Sequence, residues 1–299
     1  VNPYVILFIQ LLLSGGNYII ANAATQTIPP PNLTFLRTII SGFVYLLYFF
    51  YAGLPFKYRG RDLALLLFLS FTSVSLNQLG FLYGMKYTTA TEGALLYALT
   101  PIFVMVLSRR YLNEKITFMK ILGTGMAFVG VVVVVLSNVS FNGASYHFEF
   151  SHMKGDAFIF TAVIAWATYT ALGRKLVVKY GAITTTMFTA LIGTAMYAPV
   201  GIFCSIGYRY TSLSGGQWLQ VLYLSLGTSI AGYLLWYYAL GKIEASRVAV
   251  FTNGQPVITA IMAYIFLKQS IALPFALGAL VTIGGVIITQ TDLQKRQKS

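Results

Sequence analysis

Apolar residues run along this chain in ten stretches, at about 4–24, 33–53, 63–85, 89–109, 117–137, 155–173, 184–207, 216–240, 246–267 and 271–290. Short polar segments bearing glycine, proline and lysine separate them. A helix rises about 1.5 Å per residue, so roughly 20 apolar residues cover the hydrocarbon core of a bilayer. Backbone amides and carbonyls cannot go unpaired in lipid, so stretches of this length predict helices. The expected fold class is an all-α membrane protein of ten transmembrane helices, and 299 residues leave no room for a soluble domain beside them.

The pattern repeats. Shifting the chain by 155 residues lays Tyr83 on Tyr238, Ala90 on Ala245, Ala94 on Ala249, Pro101 on Pro256, Leu112 on Leu267, Gly123 on Gly278 and Gly130 on Gly285, without a gap. Two five-helix repeats are expected, at 1–140 and 153–291, followed by a basic tail at 292–299. Five is odd, so the second copy must enter the membrane with opposite orientation, and such pairs enclose a pseudo-symmetric cavity. Pro101 and Pro256 fall near the midplane of the fourth and ninth runs. Each removes one backbone donor there, which makes them matched hinge candidates.

Composition fits a lipid solvent: 57% of residues are hydrophobic, 9% are charged, and the mean hydropathy is +0.74. The net charge of +13 does not mark a nucleic-acid partner, because the basic residues sit in short clusters between apolar runs. Fifteen of the 20 Lys and Arg lie on the side shared by both termini, and the positive-inside rule makes that side cytoplasmic. The chain is expected in the inner (plasma) membrane as a multi-pass protein. Ala21-Asn22-Ala23 resembles a cleavage site, but no basic region precedes it, and the first run reads as a retained helix. The single Cys204 excludes an internal disulfide.

No Asp or Glu falls at mid-membrane, so the buried carboxylate of a proton relay is missing. The midplane instead holds Asn17, Asn77, Gln78, Tyr97, Thr100, Thr168, Tyr169, Asn253 and Gln255, with the aromatics Tyr83, Trp166, Tyr233, Trp236 and Tyr237 among them. Amides are costly in hydrocarbon unless they face protein or water. The candidate solute-contacting set is therefore Asn17, Asn77, Tyr83, Tyr97, Thr100, Trp166, Tyr169, Tyr233, Tyr237, Asn253 and Gln255. Arg37, about one turn into the second run, reads as a lipid-facing or helix-bracing residue or as an anion contact. Glu92 and Arg247 occupy equivalent repeat positions and are either interfacial anchors or a gate. Gly123 with Gly130, and Gly278 with Gly285, allow close helix approach along the fifth and tenth runs. His147 and His152 lie in an outer loop, and no paired metal ligands or nucleophile motif occurs within the runs. No catalytic residue, cofactor or metal is expected.

The stretch from Tyr83, Y-G-M-K-Y-T-T-A-T-E-G-A-L-L-Y-A-L-T-P-I-F, then L-N-E-K and G-T-G-M-A-F-V-G, resembles the EamA-type members of the drug/metabolite transporter superfamily. So does its copy at 238–285, while Arg37 and Ala165-Trp166-Ala167-Thr168-Tyr169 extend the likeness over nearly the whole chain. Asn113-Glu114 is replaced in the second copy by Lys268-Gln269, at an interface in both halves. The resemblance implies a cavity formed mainly by helices 1, 3, 4, 6, 8 and 9, and a role like that of bacterial exporters of amino acids and related metabolites. A small neutral or zwitterionic solute moved by alternating access is the expectation. A sugar-phosphate or nucleotide-sugar carrier, or a channel or sensor, are the alternatives. The expected partners are the solute and the bilayer, with a monomer preferred over a homodimer.

Overall fold

The computed structural model describes residues 2–88, 90–141, 153–267 and 273–296; within these, the side chains of 90–92, 135–141, 260, 263–267, 275 and 291–296 fall outside the description. His147, His152 and the pair Lys268-Gln269 therefore lie outside the described residues. Among the described residues there is no strand.

Ten helices follow one another. They are α1 (Pro3–Thr27), α2 (Pro30–Ala52), α3 (Gly60–Tyr87), α4 (Ala90–Tyr97 and Thr100–Leu112), α5 (Phe118–Phe141), α6 (Met153–Tyr180), α7 (Ala182–Ser205), α8 (Gly215–Leu240), α9 (Ala245–Val250 and Gln255–Leu267) and α10 (Leu273–Arg296). Among the described residues, seven of them are long and apolar enough to cross a bilayer: α1 to α4 and α6 to α8. The described parts of α5 and α10 contribute shorter apolar stretches, Phe118–Val134 and Ala276–Gln290. Phe43, Leu47, Phe50, Val200, Phe203 and Leu280 are exposed. A belt of bare aromatic and aliphatic side chains on this scale is what a lipid solvent permits and water does not.

The two repeats share their irregularities. In α3 the backbone widens to π-helix over Thr72–Gln78, and in α8 over Tyr223–Gly232. Shifted by 155, the first stretch becomes 227–233, so the two overlap. Hydroxyls cluster there and occupy carbonyls in or beside the widened turns: Thr72 Oγ1 donates to Phe68 O at 2.6 Å, Ser225 Oγ to Val221 O at 2.7 Å, and Thr228 Oγ1 to Leu224 O at 2.7 Å. Such i−4 bonds from Ser and Thr bend helices, and π-turns concentrate where helices carry function.

The fourth and ninth helices break at matched points. α4 is interrupted at Ala98 and Leu99, and α9 tightens to a 3₁₀ turn over Phe251–Gly254. Ala98 and Leu99 correspond to Asn253 and Gly254 under the repeat shift. Pro101 and Pro256 each open the following helical segment. Neither can donate to the carbonyl four residues back, Tyr97 or Thr252, so the chain turns there before the helix resumes.

Helices α5 and α10 pack on each other through facing glycines. A Cβ on Gly123 would stand 2.6 Å from the Gly285 carbonyl oxygen, and one on Gly278 would stand 2.8 Å from the Gly130 carbonyl oxygen. Only hydrogen fits between these backbones, and the pair forms a tight two-helix unit inside the chain. The main core, by contrast, lies among α1 to α4 and α6 to α9.

Candidate functional site

The π-stretches and the broken helices converge on one buried space. About 60 Å³ is open to the centres of water-sized molecules, room for roughly four waters. α1 contributes Gln10, Ser14, Asn17 and Tyr18; α3 contributes Asn77, Gln78 and Phe81. Tyr97 arrives from the last turn before the α4 break, Trp166 from α6, Gln255 from just past the α9 break, and Thr228, Gly232 and Tyr233 from the π-stretch of α8 and the residue after it. α2 adds one residue, Arg37.

Asn77 ties the space together. Its Nδ2 donates to Tyr97 Oη and to the Ala162 carbonyl, both at 3.0 Å, and its Oδ1 accepts from Tyr233 Oη at 2.9 Å. One amide thus joins α3, α4, α6 and α8, two helices from each repeat. Opposite, Tyr18 Oη donates to Gln255 Oε1 at 3.1 Å, linking α1 to α9. The walls are aromatic: Trp166 stands edge-on to Tyr233 at 5.1 Å and stacks on Tyr169 at 5.7 Å, while Tyr18 meets Phe81 and Tyr97 edge-on.

Arg37 is buried, with 3% of its surface exposed. Its Nε donates to Ser229 Oγ at 2.5 Å and its Nη2 to Thr228 Oγ1 at 2.8 Å. Both hydroxyls donate in turn to the Leu224 carbonyl. The guanidinium is held by the widened turn of α8, not by lipid headgroups or by a neighbouring carbonyl. Polarity alone does not show which way a long side chain turns, and the signal for this placement is the Thr-Ser pair at 228–229 on the opposite repeat.

Of the residues expected to contact solute, Asn17, Asn77, Tyr97, Trp166, Tyr233 and Gln255 line this cavity. Tyr169 lines a smaller adjoining space of about 10 Å³, shared with Gln78 and Tyr233. Tyr83 lies elsewhere, stacked on Phe158 at 4.9 Å. Tyr237 is buried behind the aromatic wall, stacked on Tyr169 at 4.6 Å and donating to its carbonyl at 3.3 Å. Thr100 and Asn253 are buried beside the two breaks, and neither side chain has a hydrogen-bond partner among the described residues. Pro101 and Pro256 are buried next to them. Gln10, Ser14, Tyr18, Phe81, Thr228 and Gly232 line the space as well, although sequence reasoning did not single them out.

The end of the bundle that carries both termini is closed by an ionic cluster. Lys120 Nζ lies 2.9 Å from Glu244 Oε2 and 3.9 Å from Glu114 Oε2, and Arg174 Nη1 lies 3.6 Å from Glu114 Oε1. Arg247 sits in this cluster, with its Nε 2.8 Å from Glu244 Oε2 and its Nη1 donating to the Gln290 carbonyl at 2.9 Å. The Glu92 side chain lies outside the described side chains. Among the described residues, no group of His, Cys, Asp and Glu could hold a metal ion.

Ten helices in two inverted repeats around a buried polar and aromatic cavity define a membrane transporter. Comparison with known proteins agrees. A model of the EamA-like transporter family matches residues 2–136 and again 153–291. The chain is 29% identical over 288 residues to the uncharacterized transporter YetK of Bacillus subtilis, covering 96% of this chain and 86% of that protein. It is 28% identical over 288 residues to an uncharacterized transporter of Archaeoglobus fulgidus, covering 96% of each. It is 22% identical over 243 residues to a probable terminal-alkyne amino-acid exporter of Streptantibioticus cattleyicolor, covering 81% of this chain and 78% of that one. A solved crystal structure shares the fold with a TM-score of 0.77 at 18% identity, over 99% of both chains. The chain belongs to the EamA-like transporter family, within the drug/metabolite transporter superfamily, and works on a small-molecule solute in a lipid environment.

Proposed function

We propose that this protein carries small neutral or zwitterionic metabolites, amino acids among them, across the plasma membrane by alternating access, as an exporter or facilitator. Both termini face the cytoplasm in this reading, on the strength of the Lys and Arg bias. The observation that carries it is the narrow cavity between two matched helix breaks, lined from both repeats. A space for roughly four waters does not admit a metabolite, so entry requires the walls to part. The breaks before Pro101 and Pro256 give the repeats, 1–140 and 153–291, points at which to rock. The amides, phenols and indole of the lining suit a small amphipathic solute. The name of the Streptantibioticus relative points the same way.

A sugar-phosphate or nucleotide-sugar carrier is the second reading. A phosphate bearing close to two charges calls for several converging cations. Among the described residues the cavity has one, Arg37.

The test is counterflow of labelled amino acids in proteoliposomes, comparing wild type with Asn77→Ala, Trp166→Ala and Asn253→Ala at equal reconstitution. Saturable exchange that is weakened in the variants supports the reading. Flux confined to other metabolites removes the amino-acid part, and single-channel currents in place of exchange make the protein a pore.

A further inference from the structure

We infer that the cavity reads a bipolar head on its solute: a carboxylate, or another singly charged anion of that shape, on Arg37, and an ammonium or equivalent donor on the amide oxygens of Gln10, Asn17 and Gln78. The inference rests on the transport reading above and assigns the polarity of that same site.

Arg37 supplies the first pole. A guanidinium carries five N–H donors, and hydroxyls of Thr228 and Ser229 take two of them. Those hydroxyls are neutral: they orient the group but leave its charge uncompensated. Among the described residues no carboxylate lies within ion-pair distance of it. A buried charge without a counter-charge is expensive, and Arg37 lines the cavity whose walls part to admit solute in the transport reading. The planar fork of arginine matches a carboxylate in two parallel hydrogen bonds.

The second pole is a set of orphan acceptors. Gln10 Oε1, Asn17 Oδ1 and Gln78 Oε1 are buried and receive no hydrogen bond, and all three residues line the same cavity as Arg37. Gln10 Nε2 is already committed to Ser14 Oγ at 2.7 Å, which fixes its orientation. Buried acceptors of this kind are rarely left empty in a folded protein. Cavity water can satisfy them, but water cannot neutralise Arg37. A simple amine would satisfy the oxygens and be repelled by the guanidinium. A solute carrying both heads meets both demands, so the expected order of binding is zwitterion, then monocarboxylate, then uncharged amide, then amine.

The experiment uses the full chain in proteoliposomes. Counterflow is driven by labelled L-leucine, L-phenylalanine or L-threonine, in competition with the unlabelled amino acid, its amide and its deaminated acid. Wild type is compared with Arg37→Gln, Arg37→Lys and Ser229→Ala. In wild type the amide competes roughly 10- to 100-fold more weakly than its parent, the worth of a charge-assisted hydrogen-bond pair. In Arg37→Gln the parent weakens by the same factor while the amide, an ammonium no longer repelled, binds as well as before or better, so their ratio falls to one or below; Arg37→Lys keeps most of the ratio. Ser229→Ala, which loosens the tether and spares the charge, weakens the parent less than Arg37→Gln does and leaves the amide nearly unchanged. A ratio that survives Arg37→Gln, or parent and amide competing equally in wild type, overturns the inference. If Arg37→Gln fails to reconstitute, the wild-type ratio and Arg37→Lys decide. Exchange of a carboxylate-free solute without any zwitterion flux overturns the inference and leaves the transport reading standing, whereas absence of exchange for every solute removes both.

Discussion

Glu114 of the first repeat caps a helix of the second: its carboxylate accepts from the backbone N–H of Ala245 at 2.8 Å and from the Ser246 hydroxyl at 2.6 Å. It also accepts from the Ser246 N–H at 3.2 Å. These donors belong to the first turn of α9, where free amides and the helix dipole favour a negative charge. Asn113 makes the geometry possible, because its left-handed backbone, at φ 55°, ends α4 and turns the chain back. Glu114 therefore bridges the repeats at the end that carries both termini. Removing it would orphan those donors and leave the buried Lys120 with the Glu244 carboxylate and the Lys115 carbonyl. Glu114→Ala is expected to lower stability by about 3 kcal/mol. Glu114→Gln, which keeps the acceptor oxygen, should cost less than half of that, as read from the denaturant or thermal midpoint in detergent.

The same cluster makes a pH prediction. Burial of Glu244, in the α8–α9 connection, raises its pKa, but hydrogen bonds from Lys120 and Arg247 outweigh the burial and hold it below the ordinary carboxylate value. A depressed acid contributes stability that is present above its unfolded pKa, near 4.3, and that is lost as pH falls through the folded value. The thermal midpoint should therefore fall with acidification below about pH 4.3, and Glu244→Gln should flatten that part of the profile while lowering the midpoint at pH 7.

How far these features could be read beforehand differs by type. The spans were legible because the bilayer sets a length: α2, expected at 33–53, runs Pro30–Ala52, and α8, expected at 216–240, runs Gly215–Leu240. The duplication was legible because Pro101 and Pro256, and the glycine pairs of α5 and α10, stand in register. The π-stretches were not, since a change from i−4 to i−5 bonding leaves no period in the hydropathy. Their hydroxyl-rich sequences, Thr72-Ser73 and Thr228-Ser229, become a sign only once the geometry is known. Facing was the other gap. Tyr97 and Tyr233 line the cavity, whereas Tyr83 and Tyr237 pack on other rings, and a phenol at mid-membrane serves either environment equally well.

The α5–α10 contact separates tight glycines from loose ones. Gly123, Gly130 and Gly285 face backbone across the helix pair, while a Cβ on Gly125 or Gly284 would meet nothing within 4 Å. Gly123→Ala and Gly130→Ala are each expected to destabilise by about 1–3 kcal/mol, because the partner backbone must move away. Gly125→Ala and Gly284→Ala should be neutral or slightly stabilising, since alanine is the better helix former. Thermal midpoints of the four purified variants check this, and equal losses at all four would show that contact across the pair is not the cause.

The paired prolines carry the most direct test of rocking. In Pro101→Ala and Pro256→Ala the new N–H can close the bond to the carbonyl of Tyr97 or Thr252, and the helix runs through its break. If the break is the hinge, straightening it raises the barrier between outward- and inward-facing forms and leaves the binding groups in place. Each variant should then exchange solute about tenfold more slowly, equivalent to about 1.4 kcal/mol on the barrier, with KM within about twofold of wild type. Pro101→Gly and Pro256→Gly restore the donor without stiffening the chain, so they should keep most of the rate. A reduced rate in the glycine variants equal to that in the alanine variants would assign the prolines to packing. A change confined to KM would place them in the binding wall.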